Sequence, residues 1–265
     1  MTKVWIGTNW KMTKTISEGL AYSRELKKLA ESITPNIELF IIPSFTSLLP
    51  IREELSGSSI KLGAQNMHWE DRGAYTGEIS PRMLDEIGID LIELGHSERR
   101  QYYNENDVDI NKKVHAALKY GMRPLVCIGE SIDQKNNGIS KEVLAAQLKV
   151  CLKNVTTEQV QHVLIAYEPV WAIGERGIPA EADYVGEIHS FLRKTLVDLY
   201  GEKVGQEIPL LYGGSVRLDN FLNFIQQTNV NGLFVGRTAW NMETFSVLLN
   251  ELDRKLKHEI GGFKC

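Results

Sequence analysis

The chain has 265 residues, 43% hydrophobic and 24% charged, with a formal net charge of -4. That composition suits a soluble globular protein with a sizeable core. An acidic balance without a basic run argues against a nucleic-acid or anionic-membrane partner, and no apolar run approaches the roughly 20 residues needed to span a bilayer. Cys127, Cys151 and Cys265 are odd in number and lack metal-ligand spacing, so they read as reduced thiols. The N-terminus runs into Val4-Trp5-Ile6-Gly7 with no charged segment and long apolar stretch before it. The expectation is a cytoplasmic protein without a signal peptide.

Short apolar runs alternate with longer segments of helical period. The first strand is expected over 4–8 and leads into Asn9-Trp10-Lys11, followed by an amphipathic helix over 17–31. A strand over 37–42 contains Leu39-Phe40-Ile41-Ile42, unbroken in apolar character as parallel strands buried on both faces are. The strand at 60–64 opens into a long loop, 65–80, whose Met67, Trp69 and Tyr75 are poor solvent residues. A strand over 90–94 ends at His96-Ser97-Glu98, and a helix follows over 107–119. Strand 122–127, helix 140–153 and strand 163–167 come next, the last ending in Glu168-Pro169-Val170-Trp171. Helix 183–199 leads to strand 208–212, which ends in Gly213-Gly214-Ser215, and strand 232–235 ends at Gly236. In the closing helix, 242–257, Phe245, Leu248, Leu249, Leu252 and Leu256 form one stripe that reads as core packing. Eight strands alternating with helices, recurring every ~25–45 residues without a linker, predict a single (β/α)₈ barrel over residues 1–265, in the α/β class. A doubly wound open sheet is the weaker alternative, because no Gly-x-Gly-x-x-Gly follows the first strand.

In such a barrel all strand C-termini converge on one mouth, so polar residues at strand ends can meet there. Asn9 and Lys11, His96 and Glu98, and Glu168 stand at three of these ends. The glycine-bearing ends at Gly213-Gly214 and Gly236 expose backbone N–H groups, a common way to hold a phosphate. Each has a bland reading: a solvated loop lysine, a satisfied buried histidine, a plain glycine turn. Their joint placement points to chemistry. A carboxylate can remove a proton next to a carbonyl only if the enediolate is stabilised as it forms, and a lysine ammonium and a histidine N–H supply that. Gly174 to Gly177 after the rigid Pro169-Trp171 start suits a closing lid over a dry site. The reaction calls for no metal and no organic cofactor.

Asn9-x-Lys11, ELGHSERR (93–100), AYEPVWAIG (166–174) and YGGS (212–215) resemble the triosephosphate isomerase family along nearly the whole chain. The resemblance implies that Glu168 is the catalytic base and His96 a neutral electrophile that polarises the carbonyl. Lys11 would supply positive charge, Asn9 a hydrogen bond to the substrate oxygens, and Glu98 would orient Lys11. The backbone N–H groups of Gly174, Ser215, Gly236 and Arg237 would hold the substrate phosphate. The long loop 65–80 resembles the family's third loop, implying a homodimer with Thr76 at the interface, near Asn9 and Lys11 of a second copy. Lys14, by contrast, has no implied role, and its removal is expected to be nearly silent.

The sequence departs from the family pattern around the mouth. Thr8 stands for the usual Gly, Thr13-Lys14 for Asn-Gly, and Arg237 for the second Gly of a Gly-Gly turn. The lid reads Glu175-Arg176-Gly177-Ile178-Pro179-Ala180, one residue longer than usual. These departures resemble a subgroup of the family that acts on four-carbon ketose phosphates in erythritol breakdown, converting L-erythrulose 1-phosphate to D-erythrulose 4-phosphate through an enediol. The alternative is a divergent enzyme of glycolysis acting on dihydroxyacetone phosphate and glyceraldehyde 3-phosphate. Remoter ones are a non-catalytic sugar-phosphate-binding barrel and a ring-forming synthase of amino-acid biosynthesis; neither accounts for His96 and Glu168 together.

Overall fold

The computed structural model describes residues 3–174 and 177–261, the last three by backbone alone. Glu175 and Arg176 of the expected lid, and Cys265, lie outside the described residues. The strands are β1 (Val4–Asn9), β2 (Ile37–Ile42), β3 (Lys61–Ala64), β4 (Leu91–Leu94), β5 (Arg123–Ile128), β6 (Leu164–Tyr167), β7 (Leu210–Gly214) and β8 (Gly232–Val235). All pair in parallel with their sequence neighbours, and β8 returns to β1, closing a (β/α)₈ barrel. The doubly wound alternative is thereby set aside.

The expected helices form at Ile16–Ala30, Asp107–Lys119, Ser140–Cys151, Ala182–Tyr200 and Met242–Gly261. Their starts are chemically specified: Thr15 and Glu18 form a reciprocal capping box, and the Asn106 side chain accepts from Val108 and Asp109 N–H. Short helices at Leu48–Glu54, Pro81–Ile87 and Phe221–Ile225 were not anticipated. Each spans about two turns or fewer, too little for a helical period to stand out. β7 begins two residues later than its apolar run, since Pro209 has no N–H to give a ladder; its carbonyl still accepts from Ile165 N–H at 3.0 Å.

Strand alternation divides the core in two. Trp5, Phe40, Ile42, Leu91, Leu125, Cys127, Leu164, Ala166, Leu211 and Phe234 form one buried cluster that fills the barrel lumen. A larger cluster lies between strands and helices. Phe40 takes the space opposite Gly7, where an added Cβ would stand 2.3 Å from its ring. The lumen is therefore packed solid beneath the C-terminal mouth.

The helix layer holds a buried titratable group, His189, on Ala182–Tyr200. Its Nδ1 lies 3.0 Å from the Asn229 carbonyl, and Tyr167 meets it edge-on. Burial depresses its pKa from 6.5 to about 4. The unfolded chain thus takes up this proton near pH 6.5 and the folded chain only near pH 4. Stability is expected to fall as pH drops through that window, on the order of 2 kcal/mol from this group by pH 5. Urea midpoints of wild type and His189→Asn at pH 7.5 and 5 check it: the variant should lose less between the two pH values. Equal losses would assign the acid sensitivity to other groups.

Candidate active site

The mouth is a pocket lined by Asn9, Lys11, His96, Glu168, Gly174, Ser215, Gly236 and Arg237. The structure brings together eight side chains or turns singled out in the sequence, although they come from five strand ends.

Asn9 closes β1 with its carboxamide held at both ends. Its Oδ1 accepts from Lys11 N–H at 2.6 Å and its Nδ2 donates to Glu93 at 2.7 Å. Lys11 follows with a left-handed backbone, φ +52°, an uncommon conformation for a side-chain-bearing residue. The Asn9 bond and a hydrogen bond from Gln65 Nε2 to the Lys11 carbonyl at 2.8 Å hold it there. The Lys11 ammonium lies 2.6 Å from Glu98 Oε1.

His96 caps the short helix Ser97–Tyr102, its Nδ1 accepting from Glu98 N–H at 3.2 Å. An Nδ1 that accepts cannot carry a proton, so the ring is neutral with its hydrogen on Nε2. That Nε2 lies 4.0 Å from Glu168 Oε2 across the mouth. Arg100 braces the turn: Nε donates to the Gly95 carbonyl and Nη2 to that of Cys127.

Glu168 is buried, with its N–H bonded to the Ile128 carbonyl at 2.8 Å and its Oε2 without a hydrogen-bond partner among the described residues. Two glycines make room for it. A Cβ on Gly129 would stand 1.9 Å from the Glu168 carbonyl oxygen, and one on Gly213 would stand 2.9 Å from its Oε1. Gly213, expected only to expose an N–H, also clears space for the carboxylate. Beyond it, the Trp171 indole donates to Glu130 at 3.0 Å, as do the hydroxyls of Tyr167 and Tyr184. Gly177 packs so closely on Ala172 that a Cβ would lie 2.6 Å from its carbonyl oxygen.

Thr238 Oγ1 donates to the Val216 carbonyl, tying the turn after β8 to the turn after β7. Arg237 adds more than its backbone: Nη2 donates to the Gly174 carbonyl at 2.9 Å, linking the β8 turn to the start of the lid.

One reading of the sequence needs correction: Thr8 lies between outward-facing Ile6 and Trp10, is fully buried, and does not line the mouth. Lys14, given no role at the site, is held in place: its ammonium donates to the Trp240 carbonyl at 2.7 Å and sits over the Trp10 and Tyr22 rings. In the loop after β3, Met67 is buried within its own chain, and His68 stacks on Trp69 and Tyr75. Tyr75 and Thr76 remain exposed.

One residue at the site was missed. Glu93 is fully buried, and burial followed by the Glu168 carboxylate pushes its carboxyl well above the usual range. A charge inside the otherwise apolar Leu91-Ile92-Glu93-Leu94 was the signal that could have found it. Glu93, His96 and Glu168 each offer a possible metal-ligand atom within 4.8 Å of one another, but one Glu93 oxygen is already engaged by Asn9.

A closed barrel with a buried carboxylate, a neutral histidine and a positioned ammonium at one mouth is the equipment of an isomerase that moves protons next to a carbonyl. The family model described as triosephosphate isomerase matches residues 4–252. The chain is 46% identical over 247 residues to an L-erythrulose-1-phosphate isomerase of Rhizobium etli, covering 93% of this chain and 91% of that protein. It is 43% identical to one of Brucella abortus biovar 1 over 258 residues (97% and 99%), and 44% identical to one of Rhizobium rhizogenes over 257 (96% and 97%). The chain belongs to the triosephosphate isomerase family.

Proposed function

We propose that this protein interconverts L-erythrulose 1-phosphate and D-erythrulose 4-phosphate by enediol proton transfer. The observation that carries the reading is the meeting of Glu168, His96 Nε2 and the Lys11 ammonium at one mouth, in a chain similar to isomerases of that name. In this reading Glu168 takes the proton from C3 and returns it to C2, and the carbonyl moves the other way. His96 donates from Nε2 to the developing oxyanion. Lys11 and Asn9 stabilise the same oxygens, while Glu98 keeps Lys11 aimed. Gly174, Ser215, Gly236 and Arg237 hold the phosphate, with the Arg237 guanidinium available as a second cation.

A tetrulose differs from a triose by one CH₂OH at the end away from the phosphate. Pro179 fixes its own φ and biases Ile178 away from helix, so the closed lid should sit differently over that end. Since Thr8 faces away from the mouth, the lid and Arg237 carry the difference. A methylene-sized change decides only about 1–3 kcal/mol, so residual triose activity is expected. The test compares kcat/KM at equal enzyme: L-erythrulose 1-phosphate should exceed dihydroxyacetone phosphate by at least ~10-fold. The opposite ranking would make this a glycolytic isomerase with altered loops.

We further read residues 1–265 as one domain of a cytoplasmic enzyme of erythritol breakdown. Exposed Thr76 and Tyr75 support a homodimer in which Thr76 lies against Asn9 and Lys11 of a second copy. Among the described residues no helix is long and apolar enough to cross a membrane.

A further inference from the structure

We propose that Glu93 is a positioning residue of this site, a neutral carboxylic acid that locks the Asn9 carboxamide in the orientation that leaves one N–H for the substrate. The proposal rests on the isomerase reading above and goes beyond the residues that reading uses.

The geometry is specific. Glu93 projects into the barrel lumen, where the neighbouring layer is Leu91, Leu125, Cys127, Ala166 and other apolar side chains. Its Oε2 accepts from Asn9 Nδ2 at 2.7 Å, while Cys127 Sγ stands 3.9 Å from Oε1. With Lys11 N–H on Oδ1, both ends of the Asn9 amide are assigned, and the amide cannot flip without placing two acceptors or two donors face to face. One Asn9 N–H is then left for the pocket that Asn9 lines.

The protonation state follows from the surroundings. Glu168 faces Glu93 from β6, Glu98 from the helix after β4, Lys11 from the end of β1 and Cys127 from β5. His96 offers a ring nitrogen within 4.8 Å. Two carboxylates at this separation in a dry lumen do not both ionise. Glu93 is the enclosed one, and burial beside the Glu168 carboxylate favours its protonated form. A neutral acid still accepts from Asn9 through its carbonyl oxygen, so it anchors the amide without adding a charge beside the base.

Glu93→Gln retains a carbonyl acceptor and no charge. Glu93→Leu removes the acceptor. With L-erythrulose 1-phosphate, Glu93→Gln is expected within ~3-fold of wild-type kcat and Glu93→Leu down by at least ~10-fold, more in kcat than in KM. The acid limb of the pH profile should be the same in wild type and Glu93→Gln. The infrared spectrum of the wild type at neutral pH should contain a protonated-carboxyl C=O band that Glu93→Gln lacks. An acid limb that moves to lower pH in Glu93→Gln, or no such band, would mean that Glu93 is ionised and the proposal is wrong. Equal turnover in Glu93→Leu and wild type would overturn the positioning role. If Glu93→Leu fails to fold, the band and the Glu93→Gln profile still decide the question. A wild type inactive on both ketose phosphates would sink the isomerase reading instead, leaving the carboxyl band to report on Glu93 alone.

Discussion

Glu168→Asp is expected to fold as the wild type does and to lose at least ~10²-fold in kcat, with a smaller change in KM, because the shorter arm withdraws the base by about 1 Å. The site offers no remedy for that displacement. The backbone of Glu168 is pinned by its bond to the Ile128 carbonyl and by the close approach of Gly129, so the main chain cannot advance to restore the reach. Among the described residues its Oε2 has no hydrogen-bond partner that a shortened side chain would need to give up, and the fold should be indifferent to the change. Circular dichroism and a thermal melt establish folding, and steady-state kinetics read the loss. Unchanged turnover would remove Glu168 from the role of base and with it the proposed mechanism.

Lys11→Ala is expected to reduce kcat/KM by at least ~10²–10³-fold, through both binding and turnover, since it deletes the main positive charge aimed at the phosphate and the enediolate. It also leaves Glu98 without its 2.6 Å partner, close to where the substrate's negative charge would sit. Lys14→Ala provides the contrast. Its loss of the bond to Trp240 and of the contacts with Trp10 and Tyr22 should lower stability by about 1–2 kcal/mol, with kcat/KM within ~3-fold of wild type. Kinetics and urea denaturation on both variants separate the two roles. Equal kinetic damage would mean that the ammonium of Lys11 is not specially placed.

Both predictions draw on residues visible in the sequence, and the reason is local. A carboxylate directly after the apolar run Val163–Tyr167, or an Asn-x-Lys directly after Val4–Thr8, needs only the strand-end position to be read as facing a mouth. Alternation of short apolar runs with amphipathic segments was enough for eight strands, because parallel strands buried on both faces must be apolar throughout. The misplaced start of β7 and the unanticipated short helices mark where that signal weakens, at a proline within an apolar run and in segments of too few turns.

By itself the sequence determined the strand count and order, the barrel class, and which strand ends bear Asn9, Lys11, His96, Glu98 and Glu168. These follow from patterns that repeat within a few residues. Only the tertiary structure decided what each group touches. Asn9 and Glu93 are 84 positions apart, Arg237 and Gly174 63, Lys14 and Trp240 226. No local period encodes such pairs; barrel closure sets them, by fixing which strand ends become neighbours and how far each side chain reaches. The same closure tied Lys14 to the β8 turn and shut the Glu93 carboxyl into an apolar lumen beside Glu168, where burial and a like charge raise the cost of ionising it.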